Sequence, residues 1–111
     1  EDGGAAYDRF RHRVMFPILG ARDQTIAFGG RALDKDARAK YLNSPETPLF
    51  HKGDVLYNYS AARAEAAKAV APLLVCEGYM DVIALWGAGF RTAVAPLGTA
   101  LTEAQLALLW R

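Results

Sequence analysis

The chain has 111 residues, 52% hydrophobic, 23% charged and 11% aromatic, with a formal net charge of +1, a balance that fits an ordinary globular sequence and excludes a disordered or fibrous one. A chain of this length buries roughly two-thirds of the surface its unfolded form exposes, so one modest core is expected and two independent domains are not. A lone cysteine, Cys76, excludes an intrachain disulfide, and His12 and His51 stand too far from it and from each other for zinc-ligand spacing, so a secreted disulfide scaffold and a zinc finger are both excluded.

The charge is unevenly spread. Residues 9–52 carry nine basic side chains against four acidic ones, whereas 71–111 carry only Arg91 and Arg111 against Glu77, Asp81 and Glu103. The longest apolar stretch, 69–76, falls far short of the ~20 residues that span a bilayer, and no signal peptide opens the sequence, so a cytoplasmic location without membrane contact is expected.

Residues 1–6 are small or polar and read as a loose end, with order beginning near Tyr7. Over 9–18 the residues alternate, with Arg9, Arg11 and Arg13 on one face and Phe10, Val14, Phe16 and Ile18 on the other, which predicts a strand with one wet face. Pro17 marks it as an edge strand. A turn at 20–24 leads to a second strand over 25–28, with Ile26 and Phe28 inward, so the two form a hairpin. Gly29-Gly30 is expected to end that strand, with Arg31 directly after it. A charged loop over 34–40 precedes a short strand at Tyr41-Leu42, and 43–48 is rich in turn formers. Ser60 is expected to cap an alanine-rich helix ending near Val70, stopped by Pro72.

The last forty residues read as βαβα. Residues 73–76 suit a buried strand, 79–86 a helix ended by Gly87 and Gly89, and 92–95 a second buried strand. Thr102 and Gln105 form a capping box for a final helix. This order predicts a right-handed crossover and a parallel sheet, with ligands beyond the carboxyl ends of its strands.

Glu77 stands at such an end, between a strand and a helix start, and reads either as a ligand-binding carboxylate or as a complement to the positive end of the helix. Asp81, one helical turn on, would share a cation with Glu77 or face solvent. The arginine alternation reads either as protection of an edge strand or, with Arg31, Lys40 and Lys52 close in sequence, as a phosphate-backbone track. Cys76 reads as a small buried hydrophobe, and His12 and His51 as polar or packing residues.

Five stretches resemble, in order, the core motifs of bacterial DNA primases of the DnaG type: YDRFRHRVMFPI from Tyr7, FGGR from Phe28, KYLNSPET from Lys40, FHKG from Phe50 and EGYMDV from Glu77. The resemblance runs from Tyr7 to Arg111. It implies an α+β chain with two parts: 1–70, from a mixed, β-rich basic subdomain, and 71–111, a βαβα half of the Rossmann-like TOPRIM parallel sheet. It also implies a segment of a template-directed RNA polymerase that makes short RNA primers on single-stranded DNA during replication, acting on ribonucleoside triphosphates by metal-dependent nucleotidyl transfer. Glu77 would be a catalytic and metal-binding residue, supported by Asp81. Arg9, Arg11, Arg13, Arg31, Lys40, Asn43 and Lys52 would bind template or nucleotide, with Lys40 and Lys52 reaching phosphates. Magnesium or manganese is the implied cofactor. The paired-aspartate motif such sites also use does not follow Glu77, so the site is expected to be incomplete in this chain and the chain inactive by itself. Zinc-binding and helicase-binding regions have no counterpart, so the replicative helicase and single-strand binding protein would meet the longer enzyme elsewhere. Two other readings are a non-catalytic single-strand binding module, acting through the arginine face, and another TOPRIM enzyme such as a topoisomerase or nuclease.

Overall fold

The computed structural model describes residues 10, 12–36 and 39–110. The expectations for residues 1–9, and those for Arg9 and Arg11 in particular, lie outside the described residues. Three strands, β1 (Arg13–Leu19), β2 (Thr25–Ala32) and β3 (Tyr41–Asn43), form an antiparallel sheet in the order β1-β2-β3. The β1–β2 turn closes through a bond from the Gly20 amide to the Gln24 carbonyl (2.8 Å), with Asp23 in the left-handed region at φ 61°. As the edge strand, β1 accommodates Pro17.

Register decides which face is buried. Phe16 lies opposite Gly29 and Ile18 opposite Ala27, and opposed residues share a face. Phe16 and Ile18 are buried there as the alternation predicts. The inward assignment of Ile26 and Phe28 is overturned: Phe28 is 41% exposed, Ile26 only partly buried, and the inner positions of β2 belong to Ala27 and Gly29. A pattern search follows large side chains, whereas the inner face of β2 carries small ones because other residues fill the space above them. Nor does Gly29-Gly30 end the strand, which continues to Ala32. Val14, also expected inside, is 46% exposed, opposite Arg31 where the inner face opens to solvent.

The rest of the chain holds α1 (Tyr59–Ala69), β4 (Leu74–Val75), α2 (Tyr79–Gly87), β5 (Ala93–Val94) and α3 (Glu103–Trp110), with a 3₁₀ turn at Lys52–Asp54. β4 and β5 pair in parallel, in the predicted βαβα order. Two details differ from expectation. Asn58, in the left-handed region at φ 66°, precedes α1, and Ser60 lies inside the helix and does not cap it. Val75 is 49% exposed because β4 pairs only with β5 among the described residues, while β5 also bonds Tyr57 through Ala95 and is buried. The capping box forms as expected: the Thr102 amide donates to Gln105 Oε1 (3.0 Å) and the Gln105 amide to Thr102 Oγ1 (3.1 Å).

One cluster joins the two sheets: Phe16, Ile18, Ala27 and Phe50 from the first part pack with Tyr79 and Leu97 from the second. The Tyr79 ring stacks on Phe16 with centroids 4.8 Å apart and meets Tyr57 edge-on at 4.7 Å, geometries that aromatic quadrupoles favour. It sits over Gly29, where a Cβ would meet the Tyr79 hydroxyl and ring, with Cε2 at 2.7 Å. Glycine inside this strand is therefore a notch that receives a ring.

Gly29→Ala should cost about 2 kcal/mol of stability, in the range of an overpacked core, read as a lowered urea midpoint; a change under about 0.5 kcal/mol would show that the notch is not needed. Burial pushes the Tyr79 phenol above its ordinary value of 10.0, with Tyr57 adding to the shift, and burial raises Tyr57 as well. A raised phenol stabilises the fold fully below the unfolded value, and that contribution is lost as pH climbs through the folded one. Stability should therefore fall above about pH 10, and Tyr79→Phe should flatten the fall. An identical alkaline slope in the variant would contradict this.

Candidate functional site

The site is built where the parallel sheet ends. β4 leaves through Cys76, whose amide still bonds the Val94 carbonyl at 2.8 Å. Glu77 follows, then Gly78 in extended conformation as the residue before α2. Both Glu77 and Asp81 are exposed. Asp81 lies in the first turn of α2, so it complements the unpaired amides there. Glu77 stands outside the helix at the strand exit, next to the Gly78 that precedes α2, a position that suits both a ligand-binding carboxylate and a complement to the helix end. Burial pushes the Cys76 thiol up, and the negative charge of Asp81 adds to the effect, so Asp81 is felt at the end of β4 beside Glu77. Cys76 is only partly buried, packed against the cluster of Val82, Ala93 and Ala95.

The antiparallel sheet supplies the other wall. Asn43 lies opposite Gly29 and Tyr41 opposite Arg31, so Arg31, Tyr41 and Asn43 share the inner face with Phe16. Asn43 reaches across the carboxyl end of the parallel sheet: its Oδ1 accepts a 2.6 Å bond from the Tyr79 hydroxyl and its Nδ2 donates to the Leu97 carbonyl at 3.1 Å. The Arg31 guanidinium lies 6.0 Å from the Tyr41 ring centroid, and the Tyr41 and Tyr79 rings are 6.4 Å apart. A row therefore runs from Arg31 through Tyr41 to Asn43 and Tyr79, two residues from Glu77.

The structure separates the predicted cations. Arg13 lies opposite Ala32, on the face away from Arg31. Its guanidinium donates to the carbonyls of Ala39 (2.7 Å), Lys40 (3.2 Å) and Gly30 (3.4 Å). Of the expected arginine face only Arg13 is described, and its guanidinium braces backbone; Arg9 and Arg11 lie outside the described residues. Arg31 and Lys40 instead line a recess of about 290 Å³ with Leu33, Asp34 and Lys35. Arg31 Nε is buried without a hydrogen-bond partner among the described residues. Lys52 sits elsewhere, in the 3₁₀ turn, with its amide donating to Glu46 Oε2 at 3.1 Å and its carbonyl accepting from Gln105 Nε2 at 3.1 Å. Among the described residues none of Arg31, Lys40 and Lys52 is in an ion pair.

Sequence reasoning missed Tyr41 and Tyr79, and it found the capping box without seeing that buried Gln105 and Thr102 also hold the Lys52 turn, through Gln105 Nε2 to Val55 O (2.8 Å) and Thr102 Oγ1 to Gly53 O. The available signal for Tyr79 was Gly29, a glycine inside an alternating strand. Among the described residues no three His, Cys, Asp or Glu side chains gather as a metal cluster, and no helix is long and apolar enough to cross a membrane.

Comparison with known proteins gives the family. The family described as DNA primase catalytic core, N-terminal domain, matches residues 1–63, and the Toprim domain family matches 71–111. DNA primase of Pseudomonas aeruginosa is 56% identical over 110 residues, covering 99% of this chain and 16% of that protein. DNA primase of Neisseria meningitidis serogroup A is 54% identical over 111 residues, covering 100% and 18%. The chain thus spans under a fifth of these curated relatives. Among solved structures, a DNA primase domain from Pseudomonas aeruginosa superimposes with a TM-score of 0.89 at 55% identity, over 99% of this chain and 34% of that one. The E. coli primase catalytic core gives 0.87 at 53% identity, over 100% and 35%. A DnaG primase catalytic domain bound to ssDNA gives 0.83 at 54% identity, over 95% and 32%. The fold of this chain thus superimposes over nearly its whole length on solved primase cores, and the chain belongs to the DnaG-type DNA primase family, as a segment of its catalytic core.

Proposed function

We propose that this segment carries part of the nucleotidyl-transfer centre of a longer primase that makes RNA primers on single-stranded DNA. The observation that carries the reading is Glu77, an exposed carboxylate at the exit of β4, where the inner face bearing Arg31 and Asn43 meets the end of the parallel sheet. That crevice is where ligands bind in open parallel sheets. The division we favour is 1–70 for the basic part and 71–111 for the Toprim part, the two joined by a shared core.

The exposed carboxylates fit a hard cation in donor chemistry, since magnesium takes oxygen ligands, keeps several waters and is bound through one or two carboxylates plus substrate phosphates. Glu77 would hold it and Asp81 would support the site. When bound, such an ion neutralises charge that builds on a transferring phosphoryl group. The residues of this chain do the rest. Arg31 and Lys40 would take phosphate oxygens at their recess, Arg31 by its planar fork, and Lys52 would do so from its turn. Arg13 would contribute by holding the Lys40 backbone in place. The solved DnaG catalytic domain bound to ssDNA, with 54% identity, supports single-stranded DNA as the template.

In the full-length enzyme Glu77→Gln should nearly abolish primer synthesis while single-stranded DNA affinity stays within about twofold, a loss confined to the chemical step. Parallel loss of binding would refute the catalytic role. Arg31→Ala and Lys52→Ala should weaken template binding, each lowering the slope of log affinity against log salt by about 1. An unchanged slope would return that residue to a solvated-face role.

A further inference from the structure

The side chain of Asn43 touches three parts of the fold at once. It stands on β3, accepts the Tyr79 hydroxyl at the first residue of α2 and donates to Leu97 just beyond β5. Tyr79 has little freedom to reorient, because Phe16 stacks on one face of its ring at 4.8 Å, Tyr57 meets it edge-on at 4.7 Å, and Gly29 lies where a Cβ would strike it. The hydroxyl is thus delivered to Asn43 by packing, and as a neutral phenol it donates to the amide oxygen. Ring contacts alone leave sliding of one layer over the other inexpensive, since dispersion is shallow and non-directional. A 2.6 Å hydrogen bond between a fixed phenol and a fixed amide is directional, and it sets the separation of the two layers.

We propose that the Tyr79–Asn43 pair is a positioning strut: it fixes the distance between the Glu77 turn and the basic face of β2 and β3, and it acts on turnover, not on template capture. Neither residue needs to touch the reacting atoms for this. The inference rests on the reading of Glu77 given above. Displacement of a reacting group by about an ångström costs up to a hundredfold in rate, whereas phosphate contacts from flexible Arg and Lys side chains tolerate it.

The test uses the full-length enzyme carrying Tyr79→Phe, Asn43→Ala, both together, and Glu77→Gln as a reference, with kcat, KM for ribonucleoside triphosphates, single-stranded DNA Kd and thermal melting measured for each. Tyr79→Phe keeps the stacked ring and deletes only the hydroxyl. Its kcat should fall about tenfold with KM and Kd within about twofold, Asn43→Ala should lose a similar factor, and the double variant should lose no more than the worse single one. The strut is overturned if Tyr79→Phe keeps its kcat within about twofold, if its loss appears in KM or Kd, if the kcat losses of the two single variants multiply in the double variant, or if the loss tracks loss of folded protein at the assay temperature. An inactive Glu77→Gln beside an unaffected Tyr79→Phe sinks the strut alone. A fully active Glu77→Gln sinks the reading of Glu77, and the strut as stated falls with it.

Discussion

A single aromatic side chain placed over a glycine holds this structure together. Tyr79 is the first residue of α2, yet its ring is buried against Phe16 and over Gly29, both in the antiparallel sheet, and its hydroxyl ends on Asn43. Without that contact only Leu97 from the second part would remain buried against Phe16, Ile18 and Phe50. Neither sheet is large: one has three strands and the other two. Units of that size are marginal unless they pack on something else, and here each packs on the other.

The same seating creates the site. Because Tyr79 directly follows Glu77-Gly78, docking its ring brings the carboxylate turn to the inner face of β2 and β3. The acidic strand exit and the face that carries Arg31, Tyr41 and Asn43, separated in sequence, are thereby tied through Tyr79. Among the described residues the cations differ in their partners. Arg13 spends its guanidinium on three backbone carbonyls, while Arg31, Lys40 and Lys52 are in no ion pair among the described residues. Arg31 Nε is buried without a hydrogen-bond partner among the described residues, and leaving such a donor unmet is costly.

What was legible in the sequence follows the range of the interactions concerned. Local signals read true: the capping box at Thr102 and Gln105, the inward Phe16 and Ile18, the edge position of Pro17 and the βαβα order. Long-range packing did not. Ile26 and Phe28 alternate as an inner face should, but the inner face is Ala27 and Gly29 because it must admit a tyrosine from fifty residues away. Spacing grouped Arg13 with the other cations of the first part, yet its partners are carbonyls at 30, 39 and 40, which no periodicity reveals. The motif order carried the family and the position of Glu77, while the role of Asn43 as a bridge between layers emerged only from three-dimensional contacts.

The central claim is that Gly29 is required because of Tyr79, and unfolding free energies in two backgrounds test it most directly. Introducing Gly29→Ala together with Tyr79→Ala removes both the notch and the ring that fills it. If the account is right, Gly29→Ala costs less than about 0.5 kcal/mol once Tyr79 has been truncated, so the two effects are strongly coupled. An equal cost in both backgrounds would mean that Gly29 serves the strand itself, and the joint between the two sheets would have to be sought elsewhere.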